Sequence, residues 1–161
     1  MNLIVEELTR GLPDGDQLIR IMIRLFAAMM LGAIIGLQRE RAGKPAGLRT
    51  HMLVAMGSAL FVLGCSAGEM SLEGQSRVIQ GVATGIGFIG AGAILKREKQ
   101  REIEGLTTAA GIWVTSATGV AVGLGEIGVA ALSVPFTWIV LAVVWRFEKS
   151  DEVKDETPTR H

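Results

Sequence analysis

Charged and hydroxyl side chains that could bind a polar partner are concentrated in residues 38–51, "QRERAGKPAGLRTH". Pro45 and Gly47 predict a tight turn there. A site for an anion, a lipid headgroup or a partner protein could use the side chains around this turn, which are Arg39, Glu40, Arg49, Thr50 and His51. Enrichment of lysine and arginine in cytoplasmic loops would alone explain the cations, although it does not explain His51. Both interpretations stay open.

Two further polar groups lie in otherwise apolar segments. Arg77, Gln80 and Thr84 are spaced three and four residues apart, which places them along one side of a helix. They could form a functional site or hydrogen bonds between helices. Hydroxyl groups also follow Gly105, beginning with Thr107 and Thr108. A helix there would have one face that points inward, either toward a cavity or toward packing contacts. The residues of this face are Thr108, Gly111, Thr115, Thr118 and Gly119.

The stretch "GIGFIGAG", residues 85–92, fits the phosphate-binding pattern G-x-G-x-x-G. A dinucleotide site needs a strand before the first glycine and a helix after the last one. Here residues 78–95 form one uncharged run, which as a helix would rise ~27 Å, or most of a bilayer core. The pattern therefore indicates a glycine-rich membrane helix, and we expect no nucleotide cofactor.

Residue types suited to catalysis or metal binding are few. Cys65 is the single cysteine, and His51 and His161 are too far apart for a histidine metal site. The sequence has no H-E-x-x-H motif and no pair of carboxylates within an apolar segment. We expect neither an enzyme nor a bound metal or cofactor.

Membrane-spanning helices would have to position these residues. Of the 161 residues, 49% are hydrophobic and only 20% are charged, and the charges separate five apolar runs. The pattern predicts an all-α, polytopic transmembrane bundle with spans at about 19–37, 50–68, 78–95, 105–125 and 127–145. This transmembrane domain, 19–147, would follow an extracytoplasmic segment, 1–18, and precede a disordered cytoplasmic tail, 148–161. The alternative is an arrangement of four spans, in which the first helix lies flat on the membrane.

The orientation follows from the distribution of cations. Twelve of the sixteen lysine and arginine residues fall in the segments after the first, third and fifth spans. The positive-inside rule makes these segments cytoplasmic, with the N-terminus outside and the C-terminus inside. Arg20 and Arg24 would then reach toward the outer headgroups. The zero net charge does not indicate a partner, because the charges belong to two different faces of a membrane. We expect the lipid bilayer as a partner and no nucleic acid.

Glycine and other small residues predict which helix surfaces pack closely. In the third span, Gln80, Thr84 and Gly87 share a face that we expect to contact neighbouring helices, which would make this helix the centre of the bundle. The opposite face is expected to meet lipid, with Val78, Val82, Ile86, Ile89 and Ala93. Close packing, within the chain or in a homo-oligomer, is predicted at Gly32, Gly36, Gly81, Gly85, Gly87, Gly90, Gly92, Gly111 and Gly119.

Three stretches, "GLQRERAGKPAGLRTHMLVAMGSALF", "SRVIQGVATGIGFIGAGAIL" and "GLTTAAGIWVTSATGVAVGLG", together resemble the membrane domain of the MgtC/SapB family. The resemblance covers about residues 20–145 and implies a bacterial inner-membrane protein linked to low-magnesium or acid stress and, in pathogens, to virulence. Longer members continue into a soluble cytoplasmic domain, whereas this sequence is similar to the short, SapB-like form. The family-typical polar residues carry over to Arg39, Glu40, Arg49, Thr50, His51, Arg77, Gln80 and Thr107.

The resemblance also implies a function. Family members are regarded as non-enzymatic proteins that act on other membrane proteins, including the ATP synthase, and so modulate ion or magnesium homeostasis. The alternative hypothesis is a small channel or carrier for Mg2+ or H+, lined by the polar faces of spans three and four. A third hypothesis, an enzyme acting on lipid headgroups, would use Arg49 and His51.

Overall fold

The computed structural model describes residue 3 and residues 14–67, 70–97 and 102–144. The predicted tail, 148–161, and most of the predicted N-terminal segment, 1–18, lie outside these ranges. In chain order, the helices are α1 (Gly15–Arg41), α2 (Leu48–Ala67), α3 (Leu72–Gly92), α4 (Leu106–Leu124) and α5 (Ile127–Ile139), and α5 continues into a π-helical turn, Val140–Val144. The predicted all-α helical bundle is confirmed.

One segment departs from the all-helical expectation. Between the spans predicted at 78–95 and 105–125, strands β1 (Leu95–Arg97) and β2 (Glu102–Glu104) pair as an antiparallel hairpin. The third helix also ends at Gly92 rather than at residue 95, and it begins at Leu72 rather than at residue 78. The hairpin therefore joins α3 to α4 by a short, hydrogen-bonded connection.

Three of the described helices are long and apolar enough to cross a membrane: α1, α2 as far as Ser66, and α4. With 27 residues, α1 is ~40 Å long, more than the hydrocarbon core requires. A shorter apolar helix covers Ile127–Ala142. The chain is therefore a helical membrane protein. Five complete spans and their orientation stay predictions.

Local sequence signals define the ends of these helices. The side chain of Asp14 accepts a hydrogen bond of 2.9 Å from the backbone nitrogen of Gln17 and so caps α1. Ser71 caps α3 in the same way through the nitrogen of Gly74. Gly105 and Gly125 stand at the two ends of α4 with φ values of 96° and 97°, a backbone conformation that favours glycine. The 105–125 boundaries predicted for the fourth span therefore coincide with these caps.

Small residues bring α1, α2 and α4 close together around the core. A Cβ atom at Gly32 on α1 would lie 2.5 Å from the carbonyl oxygen of His51 on α2. A Cβ at Gly119 on α4 would overlap the backbone of Ala55 on α2. The buried side chains between the helices are also small, namely Ala28, Ala55, Ala59, Val122 and Ala130. The helix backbones therefore approach one another closely, as in other membrane bundles.

The central position expected for α3 is wrong, because α4 lies at the centre and α3 packs against α2 and α4 along one edge. The assignment of its faces is also wrong in part, although Ile89 is exposed and Gly90 is buried as expected. Ile86, on the face expected to meet lipid, is buried, whereas Gln80, Thr84 and Gly87 are exposed. Bulky apolar side chains fill the space beside α2 and α4 better than glycine does, so this face turns inward. A Cβ at Gly81, Gly85, Gly87 or Gly92 would have no described atom within 4 Å.

Candidate functional site

The charged turn between α1 and α2 divides the predicted site residues into two groups. Glu40 and Arg49 are exposed, and a carboxylate oxygen of Glu40 accepts a 2.8 Å hydrogen bond from the backbone nitrogen of Leu48, where α2 begins. Arg39 and His51, in contrast, are buried within the bundle. Arg49 and His51 therefore do not present a common surface, which argues against a headgroup enzyme built on that pair.

Arg39 connects the end of α1 to the first turn of α4. Its side chain is 2% exposed, and its Nη2 atom donates a hydrogen bond of 3.0 Å to the hydroxyl of Thr108. The same nitrogen lies 3.4 Å from the hydroxyl of Thr107. The guanidinium of Arg39 thus contacts two adjacent threonines that lie 68 and 69 residues later in the chain. The sequence could only place these threonines on a helix face that bears hydroxyl groups.

His51 lies beside the same part of α4. Its Nδ1 atom is 3.0 Å from the carbonyl oxygen of Gly47, and because a carbonyl only accepts, Nδ1 carries the hydrogen. A Cβ atom at Gly111 would lie 3.7 Å from Nε2 of His51, and one at Gly36 would lie 2.9 Å from its Cβ. Arg39 contacts α4 at Thr108, and His51 lies next to Gly111, one helical turn later. Arg39 and His51 therefore contact neighbouring turns of α4.

Two atoms of this buried polar cluster, which consists of Arg39, His51 and Thr108 with the exposed Thr107 at its edge, have no hydrogen-bond partner among the described residues. They are Nε of Arg39 and Nε2 of His51. Buried polar atoms are nearly always paired, and a neutral imidazole with its hydrogen on Nδ1 offers an acceptor at Nε2. A guanidinium beside the imidazole makes the cluster a poor site for a metal cation.

The other predicted polar residues do not join this cluster. Arg77 forms an exposed ion pair of 2.6 Å with Glu73 on α3. Gln80 and Thr84 are exposed, and the hydroxyl of Thr84 donates to the carbonyl oxygen of Gln80. Thr50 is half-buried in the first turn of α2. The described residues contain no group of three histidine, cysteine, aspartate or glutamate residues that could hold a metal ion.

The hydroxyl face predicted for α4 is buried, and its hydrogen bonds favour the packing interpretation over a cavity. Thr115 and Thr118 donate to the carbonyl oxygens of Gly111 and Val114, one turn earlier in the same helix. Thr118 also lies 3.2 Å from the hydroxyl of Ser133 on α5. These hydroxyls are therefore satisfied by the bundle itself.

Sequence reasoning missed the contacts that join helices distant in the chain. Arg24 does not simply extend toward headgroups, because its Nη1 atom donates a 2.9 Å hydrogen bond to the carbonyl oxygen of Gly123 at the end of α4. The hydroxyls of Ser58 and Ser116 are 2.8 Å apart between α2 and α4. Polar residues in an apolar run signal such contacts, but the sequence does not reveal their partners.

The fold and the buried cluster define a class of protein: a small helical membrane protein whose charged turn supplies an arginine and a histidine to the bundle interior. Residues 25–150 match the MgtC family. The chain belongs to this family, which confirms the family resemblance of its three motif stretches.

Three relatives illustrate the similarity. The chain is 44% identical to protein SrpB of Synechococcus elongatus over 149 residues, covering 86% of this chain and 81% of SrpB. It is 45% identical to YhiD of Escherichia coli K12 over 76% of this chain and 59% of YhiD. It is 42% identical to MgtC of Salmonella typhimurium over 65% of this chain and 44% of MgtC. The match thus spans about half of the length of the last two proteins. No solved structure matches the chain.

Proposed function

We propose that this protein is a non-enzymatic, multi-pass protein of the bacterial inner membrane that modulates ion homeostasis by binding another membrane protein. Magnesium is the ion that we favour, because the name given to YhiD describes YhiD as a candidate magnesium transporter. The family resemblance adds stress or acid adaptation as the setting and the ATP synthase as the first partner to test. The similarity to SrpB covers 86% of this chain and therefore most of the predicted membrane domain, which supports a role residing in the bundle.

The exposed glycine face of α3 is the observation that carries this proposal. Gly81, Gly85 and Gly92 lie on one side of the helix, and a Cβ at any of them would meet nothing within 4 Å. Phe88, on the same side, is 85% exposed. Glycine in a membrane helix permits close approach of a second helix, and no helix among the described residues covers this surface. A transmembrane helix of a partner protein fits it.

Photocrosslinking in living cells tests the proposal. A photoreactive phenylalanine analogue at position 88 should capture a second membrane protein, while the analogue at Leu132, which is 66% exposed on α5, should not. Gly85→Leu should remove the crosslink from position 88 without loss of the folded protein. Equal capture from both positions, or capture unaffected by Gly85→Leu, would refute docking on α3. A crosslink that persists without the ATP synthase would refute only that partner.

A channel or carrier is the second candidate, favoured by the name of YhiD. The geometry of one chain gives it less support, because Gln80 and Thr84 are exposed on α3 whereas the threonines of α4 are buried. Liposomes holding only the purified protein should therefore stay tight to Mg2+, K+ and H+. A selective flux that Gln80→Leu abolishes would favour the transporter over the modulator.

A further inference from the structure

A groove of about 500 Å³ runs between the second half of α1 and α5 with its π-helical turn. One wall is formed by Ile34, Leu37 and Arg41 of α1, and the other by Trp138 and Ala142. The groove lies on the outer surface of the bundle, because Ile34 and Leu37 are 50% and 39% exposed. His51 and α2 contact the opposite side of α1, at Gly32 and Gly36. It is therefore separate from the buried cluster around Arg39.

The groove changes from apolar to charged along its length. Ile34 and Arg41 are seven residues apart, two turns of one helix face, so they are separated by ~10 Å along α1. The apolar end is flanked by Trp138, a residue type enriched where a bilayer core meets its headgroups. Arg41 occupies the last turn of α1 and is exposed. Among the described residues it forms no ion pair.

A contact between the helices builds this groove. Gln38, which also lines it, donates a hydrogen bond of 3.3 Å from Nε2 to the carbonyl oxygen of Leu141 in the π-helical turn. The bond holds α1 to the π-helical turn that continues α5, one helical turn before Arg41, the last residue of α1. The two walls are thus joined directly below the charged end.

We propose that this groove binds one anionic phospholipid, with the phosphate on Arg41 and an acyl chain along Ile34 and Leu37 against Trp138. The charge pattern selects this occupant. A guanidinium attracts a phosphate at the headgroup level, and the apolar wall beneath it matches hydrocarbon. A second copy of the chain would instead have to bring an acidic side chain to Arg41 to avoid burying an unpaired charge.

Fluorescence quenching by brominated lipids tests this site, because Trp138 lies in it. A variant with Trp113→Phe and Trp145→Phe retains Trp138 as its single tryptophan and would be studied in phosphatidylcholine bilayers containing a minor fraction of brominated lipid. Brominated phosphatidylglycerol should quench Trp138 with an apparent affinity about fivefold above that of brominated phosphatidylcholine, the factor that one arginine at an anionic surface supplies.

Two matched variants separate the groove from general lipid contact. Arg41→Gln should abolish the preference for phosphatidylglycerol, while Arg20→Gln, the same change on an exposed residue at the other end of α1, should leave it intact. A single-tryptophan variant that retains Trp113, which is 51% exposed on α4, should show no preference. Equal quenching of Trp138 by both lipids, or a preference that survives Arg41→Gln, would overturn the proposal. Quenching that falls as protein concentration rises would assign the groove to a second copy instead.

Discussion

At the scale of single residues, the hydroxyl of Thr108 is distinguished from the others on α4 by its partner. It accepts from the buried guanidinium of Arg39, whereas the equally buried hydroxyl of Thr115 bonds within its own helix. Thr108→Val removes the shorter of the two hydrogen bonds of the Arg39 guanidinium, leaves the longer one to Thr107, and should lower the free energy of unfolding by about 1 to 2 kcal/mol. Thr115→Val should change it by less than about 0.5 kcal/mol, because the helix carbonyl stays bonded to its backbone donor. Denaturation in detergent would measure both.

Equal effects of the two threonine variants would contradict this assignment. The residues of the buried cluster were identifiable from the sequence because an arginine, a histidine and paired threonines are unusual beside apolar runs. Their pairing was not, since Arg39 and Thr108 are 69 positions apart and their contact depends on how α1 and α4 pack. The sequence pattern also suggested that Glu40 and Arg49 belong to the same site, whereas burial separates them from Arg39 and His51.

Arg24 gives a second prediction at this scale. It is half-buried and donates to the carbonyl of Gly123, an acceptor left free at the C-terminal end of α4. Arg24→Gln removes the cation from a helix end that favours positive charge, and should cost about 1 kcal/mol of stability. Arg20→Gln, one turn earlier and exposed, serves as the control in the same denaturation experiment and should stay within about 0.5 kcal/mol of the parent protein. Equal losses would indicate a general effect of charge.

At the scale of helices, glycines with the same sequence environment have different roles. A Cβ at Gly119 would overlap the backbone of Ala55, so Gly119→Ala must push α4 away from α2. We expect a loss of about 2 kcal/mol or more in denaturation experiments, or failure to fold. Gly85→Ala meets nothing within 4 Å on α3, and the higher helix propensity of alanine should leave stability unchanged or raised by up to about 1 kcal/mol. A destabilised Gly85→Ala variant would mean that α3 is covered by another surface.

The misassigned faces of α3 show the limit of pattern reasoning for a helix in lipid. In water, the polar face of a helix is the outer one, and in a membrane small and polar faces are expected to pack inward. Both Ile86 and Gly87 are compatible with lipid and with packing, so composition does not choose between their faces. The choice depends on the shape of the neighbouring surface, where Ile86 is buried with Ile112 of α4 and with Ala46 of the turn before α2.

At the scale of the whole molecule, the helix count and most helix positions were predictable because charges and glycines interrupt the apolar runs. The second and fourth predicted spans, 50–68 and 105–125, nearly coincide with α2 and α4. The hairpin between α3 and α4 was not predictable, because its segment is too short and too charged to carry a strand pattern. Hydropathy alone also does not set the orientation of the bundle in the membrane.

Cysteine accessibility tests the predicted orientation. In a Cys65→Ser background, a membrane-impermeant maleimide added to intact bacterial cells should label Asp16→Cys, Met70→Cys and Glu126→Cys, and it should label Pro45→Cys only after lysis; all four parent residues are exposed. The contacts of α1 favour a crossing helix over one lying flat, because Ala28, Gly32 and Ile35 are buried against the rest of the bundle. Protection of position 16 in intact cells, with positions 70 and 126 still labelled, would establish the four-span arrangement. Labelling of position 45 alone would reverse the orientation and move the phospholipid groove to the outer leaflet.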